Sequence, residues 1–202
     1  PRLLKEMDSP HTQVRFEVAH LLGRIRDRRA VPALIVALGD KSANVSQTAA
    51  WALGAIRTPE AVPALLSYAN DVSIGMRKQV IWALGACHAD SLAPALKDSS
   101  RTVVMRGLRD GEADVRVGAV LALRELGVGG ALDEVIALAV DPSADVRYLI
   151  AQLLEQLASG AYRRALGDFP QETRDRVAIA LMGLLGDSAQ SIRTHAMRGL
   201  GQ

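Results

Sequence analysis

The chain has 202 residues, 49% of them apolar and 3% aromatic, with 24 basic against 22 acidic side chains. The apolar share supports a packed core and excludes wholesale disorder. The Ala-, Leu- and Val-rich composition favours closely packed helices over a β-sandwich, and a net charge of +2 lacks the concentrated basic excess of a nucleic-acid binder. The one cysteine, Cys87, excludes an intrachain disulfide and a cysteine-based metal site. No run of 18 apolar residues is present, so no membrane helix is expected, and the natural setting is a reducing cytoplasm. The opening Pro1-Arg2-Leu3-Leu4-Lys5-Glu6 is no signal peptide and lacks an initiator Met, as expected of a fragment or a processed chain.

Residues 1–8 read as the end of a helix. From there an apolar–polar pair recurs along the chain: Val14-Arg15, Val45-Ser46, Met76-Arg77, Val115-Arg116, Val146-Arg147 and Ile192-Arg193. The spacings are 31, 31, 39, 31 and 46 residues. Five residues before each anchor stands Asp40, Asp71, Asp110, Asp141 or Asp187, with Ser9 in the first unit. Eight residues after it stands Leu22, Leu53, Leu84, Leu123, Leu154 or Leu200. At 100° per residue, positions 0, +4, +7, +8 and +11 fall within about 100° of one another. They hold Val14, Val18, Leu21, Leu22 and Ile25, then Val45, Ala49, Ala52, Leu53 and Ile56, which is an amphipathic helix.

A second apolar block follows each first helix, as in Val31-Pro32-Ala33-Leu34 and Val62-Pro63-Ala64-Leu65. Pro59 stands at a helix start, where proline is tolerated. Each unit is therefore a helical hairpin that cannot bury both stripes alone and must stack on its neighbours. The expected fold is an all-α solenoid of about five to six stacked antiparallel helix pairs. A single solenoid over 1–202 divides into units 9–40, 41–71, 72–110, 111–141 and 142–187, with a partial unit at 188–202 cut from a longer array. The longer units carry their extra residues within 88–110 and 158–172, at loops or helix ends.

Asp141-Pro142-Ser143-Ala144-Asp145-Val146-Arg147, Ala49-Ala50-Trp51-Ala52-Leu53-Gly54 and Glu60-Ala61-Val62-Pro63-Ala64-Leu65 resemble the HEAT-repeat family. The likeness is to the short bacterial type named after phycobilisome lyases, and the layout also resembles HEAT proteins encoded near polymorphic toxins. The resemblance implies a right-handed superhelix with the Val-Arg helix on its concave side. It also implies an Asp–Arg ladder pairing Asp71–Arg77, Asp110–Arg116, Asp141–Arg147 and Asp187–Arg193. Ser46 departs from the pattern, so the ladder is expected to break beside Asp40. A recurring Arg of this kind ties repeats together through charge-assisted hydrogen bonds and does not form a phosphate track.

Positions +2 and +6 lie away from the buried stripe, yet they hold Phe16, His20, Trp51, Trp82, Val117, Leu121 and Tyr148. The expectation is an exposed strip that grips a partner protein or peptide, because contiguous apolar strips and Trp or Tyr side chains mark interfaces. The alternative is that neighbouring first helices or inserted loops cover these rings. Arg24, Arg26, Arg28 and Arg29 could meet an acidic partner or simply line a solvated loop, and the same choice holds for Arg163-Arg164 and Arg174/Arg176.

Signs of catalysis are missing: no HExxH, P-loop, GxSxG or GxGxxG occurs. Gly127-Val128-Gly129-Gly130 reads as a turn, and Cys87, at +11, as core packing. His11, His20, His88 and His195 are scattered over separate units. No catalytic residue, metal, cofactor or small-molecule substrate is assigned. The first expectation is a non-catalytic protein-binding scaffold or adaptor, toxin-neutralising immunity included. Nucleic-acid binding or base repair is a weaker reading, because the +2 and +6 rows hold no carboxylate, although Glu17 and Asp27 lie beside them. A bilin lyase is suggested by the family's name alone.

Overall fold

The computed structural model describes residues 2–71, 73–88, 91–128, 130–159 and 170–201. Among these residues every regular element is a helix. The α-helices are α1 (Arg2–Lys5), α2 (Thr12–Ile25), α3 (Val31–Ala37), α4 (Ala43–Ile56), α5 (Val62–Ser67), α6 (Ile74–Ala86), α7 (Pro94–Gly107) and α8 (Ala113–Leu126). They continue as α9 (Leu132–Ala137), α10 (Ala144–Ala158), α11 (Gln171–Leu184) and α12 (Gln190–Leu200). Long first helices thus alternate with second helices along the chain. The chain forms two compact units, Pro1–Gly127 and Val128–Gln202.

Local chemistry sets the helix boundaries. Each repeated Asp turns the chain into the next first helix by accepting the backbone N–H two residues on. The bonds are Ser42 to Asp40 at 2.8 Å, Ser73 to Asp71 at 2.7 Å, Glu112 to Asp110 at 3.0 Å, Ser143 to Asp141 at 2.8 Å and Ala189 to Asp187 at 2.9 Å. Helices α2 and α4 both end on a left-handed residue, Arg26 and Arg57, with φ of 54° and 57°. That conformation lets the N–H of Arg26 and Arg57 bond back to the carbonyls of Gly23 and Gly54. Pro32 and Pro63 fit in the first turns of α3 and α5, where no intrahelical N–H bond is lost.

In the first unit α2 packs on α4, α4 on α6 and α6 on α8; in the second, α10 packs on α12 with α11 against both. The predicted stripe is buried at Val45, Ala49, Ala52, Leu53 and Ile56, and at Val115, Ala119, Ala122 and Leu123. Each fully buried Leu contributes about 2 kcal/mol of transfer free energy. Two departures stand out. Leu21 and Ile25 of the first stripe are exposed, and the +5 residues Ala19, Ala50, Ile81, Val120 and Ala151, outside the predicted stripe, are buried. A first helix here meets a helix on each flank, so burial spreads beyond the stripe that faces its own hairpin.

Among the described residues, the extra length within 88–110 falls mainly at a helix end, one of the two expected places. It lengthens a second helix: α7 has 14 residues where α3 has 7 and α5 has 6. Of the second insertion, 160–169, including Arg163-Arg164, lie outside the described residues. Arg174 and Arg176 lie on α11.

Candidate peptide-binding groove

The Asp–Arg ladder fixes the spacing of the first helices, and it runs differently from the expectation. At the start of each first helix, the Arg side chain donates to the backbone carbonyl of the Asp six residues earlier. The distances are 3.1 Å for Arg77–Asp71, 2.8 Å for Arg116–Asp110, 2.8 Å for Arg147–Asp141 and 2.7 Å for Arg193–Asp187. The carboxylate rung runs forward to the turn that opens the next first helix: Arg15 to Asp40 at 2.7 and 2.9 Å, Arg77 to Asp110 at 3.2 Å twice, and Arg147 to Asp187 at 2.5 and 3.3 Å. One planar guanidinium thereby bonds its own turn and clamps its neighbour's in a bidentate fork.

Asp40 is consequently fully paired, and the break expected beside it falls one repeat later. Asp71, facing Ser46, has no arginine partner among the described residues and keeps the Ser73 N–H. The side-chain hydrogen bond from Arg15 holds the Asp40 carboxyl below its usual range, and that from Arg147 does the same for Asp187.

On this frame the first unit carries Phe16 and His20 on α2, Trp51 on α4, Trp82 on α6, and Val117 and Leu121 on α8. All six are half-buried instead of forming a freely exposed strip. Glycine explains the two tryptophans. A Cβ on Gly23 would stand 2.7 Å from the Trp51 ring, and one on Gly54 would stand 2.6 Å from the Trp82 ring. Each indole therefore lies over the glycine of the preceding first helix, one edge packed between helices and the other open. Phe16, His20 and Trp51 form a continuous ring series, with centroids 6.3 and 5.1 Å apart.

Beside this series is a recess of about 260 Å³ lined by Phe16, His20, Asn44, Gln47, Thr48, Trp51 and Gln79. Aromatic faces on one side and three side-chain amides on the other suit a ligand with alternating apolar and hydrogen-bonding groups. Asn44, Thr48 and Gln79 were not singled out from the sequence. They stand at the −1 and +3 repeat positions, next to the +2 and +6 rows, and that adjacency was the available signal.

Tyr148 belongs to the second unit. Its ring meets His195 edge-on at 5.2 Å, and Gln152 donates to its hydroxyl at 2.9 Å. Nδ1 of His195 lies 2.5 Å from the Glu155 carboxylate, a pairing that spacing did not suggest.

Arg24, Arg26, Arg28 and Arg29 are exposed, but Arg29 is engaged by Asp27 at 2.8 Å. Cys87 is buried with Sγ 3.5 Å from the Leu53 carbonyl, and burial pushes its thiol up to about 12. Gly127 and Gly130 take φ of 81° and 72°, which is turn geometry. Among the described residues, His, Cys, Asp and Glu nowhere gather in threes as a metal site, and no helix is long and apolar enough to cross a membrane.

The HEAT-repeat family profile matches residues 1–85. The chain is similar to a designed armadillo repeat protein in complex with the peptide (KR)4, at 19% identity and a TM-score of 0.63, covering 100% of this chain and 98% of that one. The fold is an α-solenoid of the HEAT and armadillo type. YibA of Escherichia coli is also similar, at 20% identity and a TM-score of 0.71, covering 98% of this chain and 68% of YibA. A computationally designed armadillo protein for modular peptide recognition aligns at 18% identity and a TM-score of 0.59, covering 100% of this chain and 98% of that one. No curated protein matches the sequence.

Proposed function

We propose that the chain is a binding scaffold whose first unit grips an extended segment of a partner protein along the face formed by Phe16, His20, Trp51, Trp82, Val117 and Leu121. The observation that carries this reading is the recess at Phe16, His20 and Trp51, where ring faces and the amides of Asn44, Gln47 and Gln79 converge. An extended peptide exposes a backbone N–H and C=O at every residue, and a carboxamide offers a donor and an acceptor to match them. Indole and imidazole faces receive the intervening side chains and bury area at low entropic cost.

Peptide binding in two designed armadillo proteins of the same fold supports this class of partner. The exposed Arg24, Arg26 and Arg28 would favour acidic residues flanking the gripped segment. A resemblance to the phycobilisome-lyase type adds no bilin chemistry, because the recess holds no carboxylate or thiol. The reading is of a scaffold and not of an enzyme.

The test is selection of binding peptides from a displayed random library, followed by titration against the wild type, Gln47→Ala and His20→Ala. Both substitutions remove half-buried groups without opening the core, so circular dichroism should be unchanged. Enriched peptides should bind either variant at least about tenfold more weakly, the effect of about 1.4 kcal/mol. A library with no enrichment, or peptides indifferent to both substitutions, would sink the groove.

A further inference from the structure

The recess beside Phe16, His20 and Trp51 offers more hydrogen-bonding capacity than a peptide backbone uses. Gln47 is already fixed in place. Its Nε2 donates to Ser73 Oγ at 3.3 Å, and its Oε1 lies over Gly75, 2.5 Å from where a Cβ would stand. Gln47 thus keeps one N–H and one carbonyl oxygen, a match for the C=O and N–H of a single peptide unit. Asn44, Thr48 and Gln79 remain. Among the described residues their side chains make no hydrogen bond, and they add two carboxamides and a hydroxyl to the same wall.

Charge narrows the choice of occupant. None of the residues lining the recess is an Asp, Glu, Lys or Arg. Lys78, next to Gln79 on α6, is paired with Asp114 at 3.2 Å. Glu17 stands at the +3 position, and at that position Gly118 of α8 meets Lys78 of the helix before it. Glu17 is therefore on the flank of α2 turned away from α4, where Gln13 donates to it at 2.8 Å. The exposed Arg24 stands one turn beyond His20 on the same side of α2. A lysine or arginine in the recess would meet no carboxylate and would feel the field of Arg24. A carboxylate is better placed outside, against Arg24 itself, than desolvated among neutral groups.

The ring wall is flat. Phe16 and His20 lie within 12° of parallel, and Trp51 is tilted 38° from His20. A planar group stacks on such faces, whereas an aliphatic one covers them and leaves the amides opposite unmatched.

Resting on the groove reading, we infer that the recess selects one side chain of the gripped segment and that this side chain is a carboxamide, Asn or Gln. Its plane stacks on His20 and Trp51, and its N–H and C=O groups meet Gln79, Thr48 and Asn44. A wall of matched donors and acceptors rejects an analogue lacking them more strongly than an apolar pocket rejects a change of size.

The experiment uses peptides selected from a displayed random library on the wild type, resynthesised and titrated. The recess position in each peptide is the one whose replacement by Ala costs affinity for the wild type but not for Gln79→Ala. That position should hold Asn or Gln. Replacing it by Glu, Lys or Leu should weaken binding to the wild type at least about tenfold. Gln79→Glu, of equal size and with folding checked by circular dichroism, should bind the Lys-substituted peptide at least about tenfold more tightly than the wild type does. Peptides that need His20 and Gln47 but carry a charged or aliphatic residue at that position, or have no position coupled to Gln79, overturn the carboxamide and leave the groove standing. A library with no enrichment overturns both.

Discussion

The guanidinium of Arg15 grips the carboxylate of Asp40, at the turn into the next first helix, while donating a third bond to the Ser9 carbonyl at the turn before its own. This one side chain joins the turn before its helix to the turn before the next. The same arrangement recurs at Arg77 and Arg147. It is the device that holds successive first helices in register, and most of the measurable consequences follow from it.

Asp187→Asn keeps the acceptor for the Ala189 N–H and removes the charge that pairs with Arg147. The variant is expected to lose about 1–3 kcal/mol of stability in urea unfolding, the usual cost of depriving a half-buried charged donor of its partner. An unchanged midpoint would show that the rung contributes nothing beyond its geometry.

Ser46→Arg supplies the missing rung between α4 and the turn that opens α6. Among the described residues the Asp71 carboxylate accepts the Ser73 N–H and meets no arginine, so the new guanidinium should add about 0.5–1.5 kcal/mol. The check is an upward shift of the unfolding midpoint that disappears when Asp71→Asn is added.

Acid should weaken the ladder. The arginine hydrogen bonds hold the Asp40 and Asp187 carboxyls below their unfolded value of about 3.9. A depressed folded pKa contributes stability that is complete above the unfolded pKa and lost as pH falls through the folded one. Unfolding free energy should therefore decline as pH falls below about 4, and Asp40→Asn with Asp187→Asn should flatten that decline.

Gly54→Ala tests the packing of the indole. Alanine raises helix propensity by about 1 kcal/mol, but its Cβ would stand 2.6 Å from the Trp82 ring and 2.9 Å from the Ala83 Cα. The second neighbour is backbone and cannot rotate away. A net loss of about 1–3 kcal/mol is expected, with a change in Trp82 fluorescence. A stabilised variant would refute the close packing of Trp82 over Gly54.

Cys87 should stay silent to thiol reagents in the native chain, because burial holds the thiol at about 12 and keeps it protonated. Labelling should track unfolding by urea; rapid labelling without denaturant would contradict its place in the core.

The hairpin architecture was legible because periodicity is a local property. A stripe at 0, +4, +7, +8 and +11, an Asp before each first helix and a Pro at the start of the second are all written within about 30 residues. Cys87 was read correctly from its place on that stripe. The carboxylate partner of each Arg was not. Asp71–Arg77 and Asp71–Ser46 are both sensible pairings on paper, and only the packing of consecutive turns shows that the guanidinium reaches forward and takes the nearer carbonyl behind it.

The sequence alone determined the helical period, the first helix that starts at each anchor and the row of rings at +2 and +6. Tertiary structure decided how much of each ring is open, because Trp51 and Trp82 lie over glycines that belong to another repeat. It placed Asn44 and Gln79 beside those rings, although they come from different first helices. It also turned the extra residues of the third repeat into two more turns of α7. Period fixes which side of a helix is apolar. What covers that side depends on contacts with the neighbouring first helix, such as Trp51 over Gly23 and Trp82 over Gly54, and those exist only once the repeats have stacked.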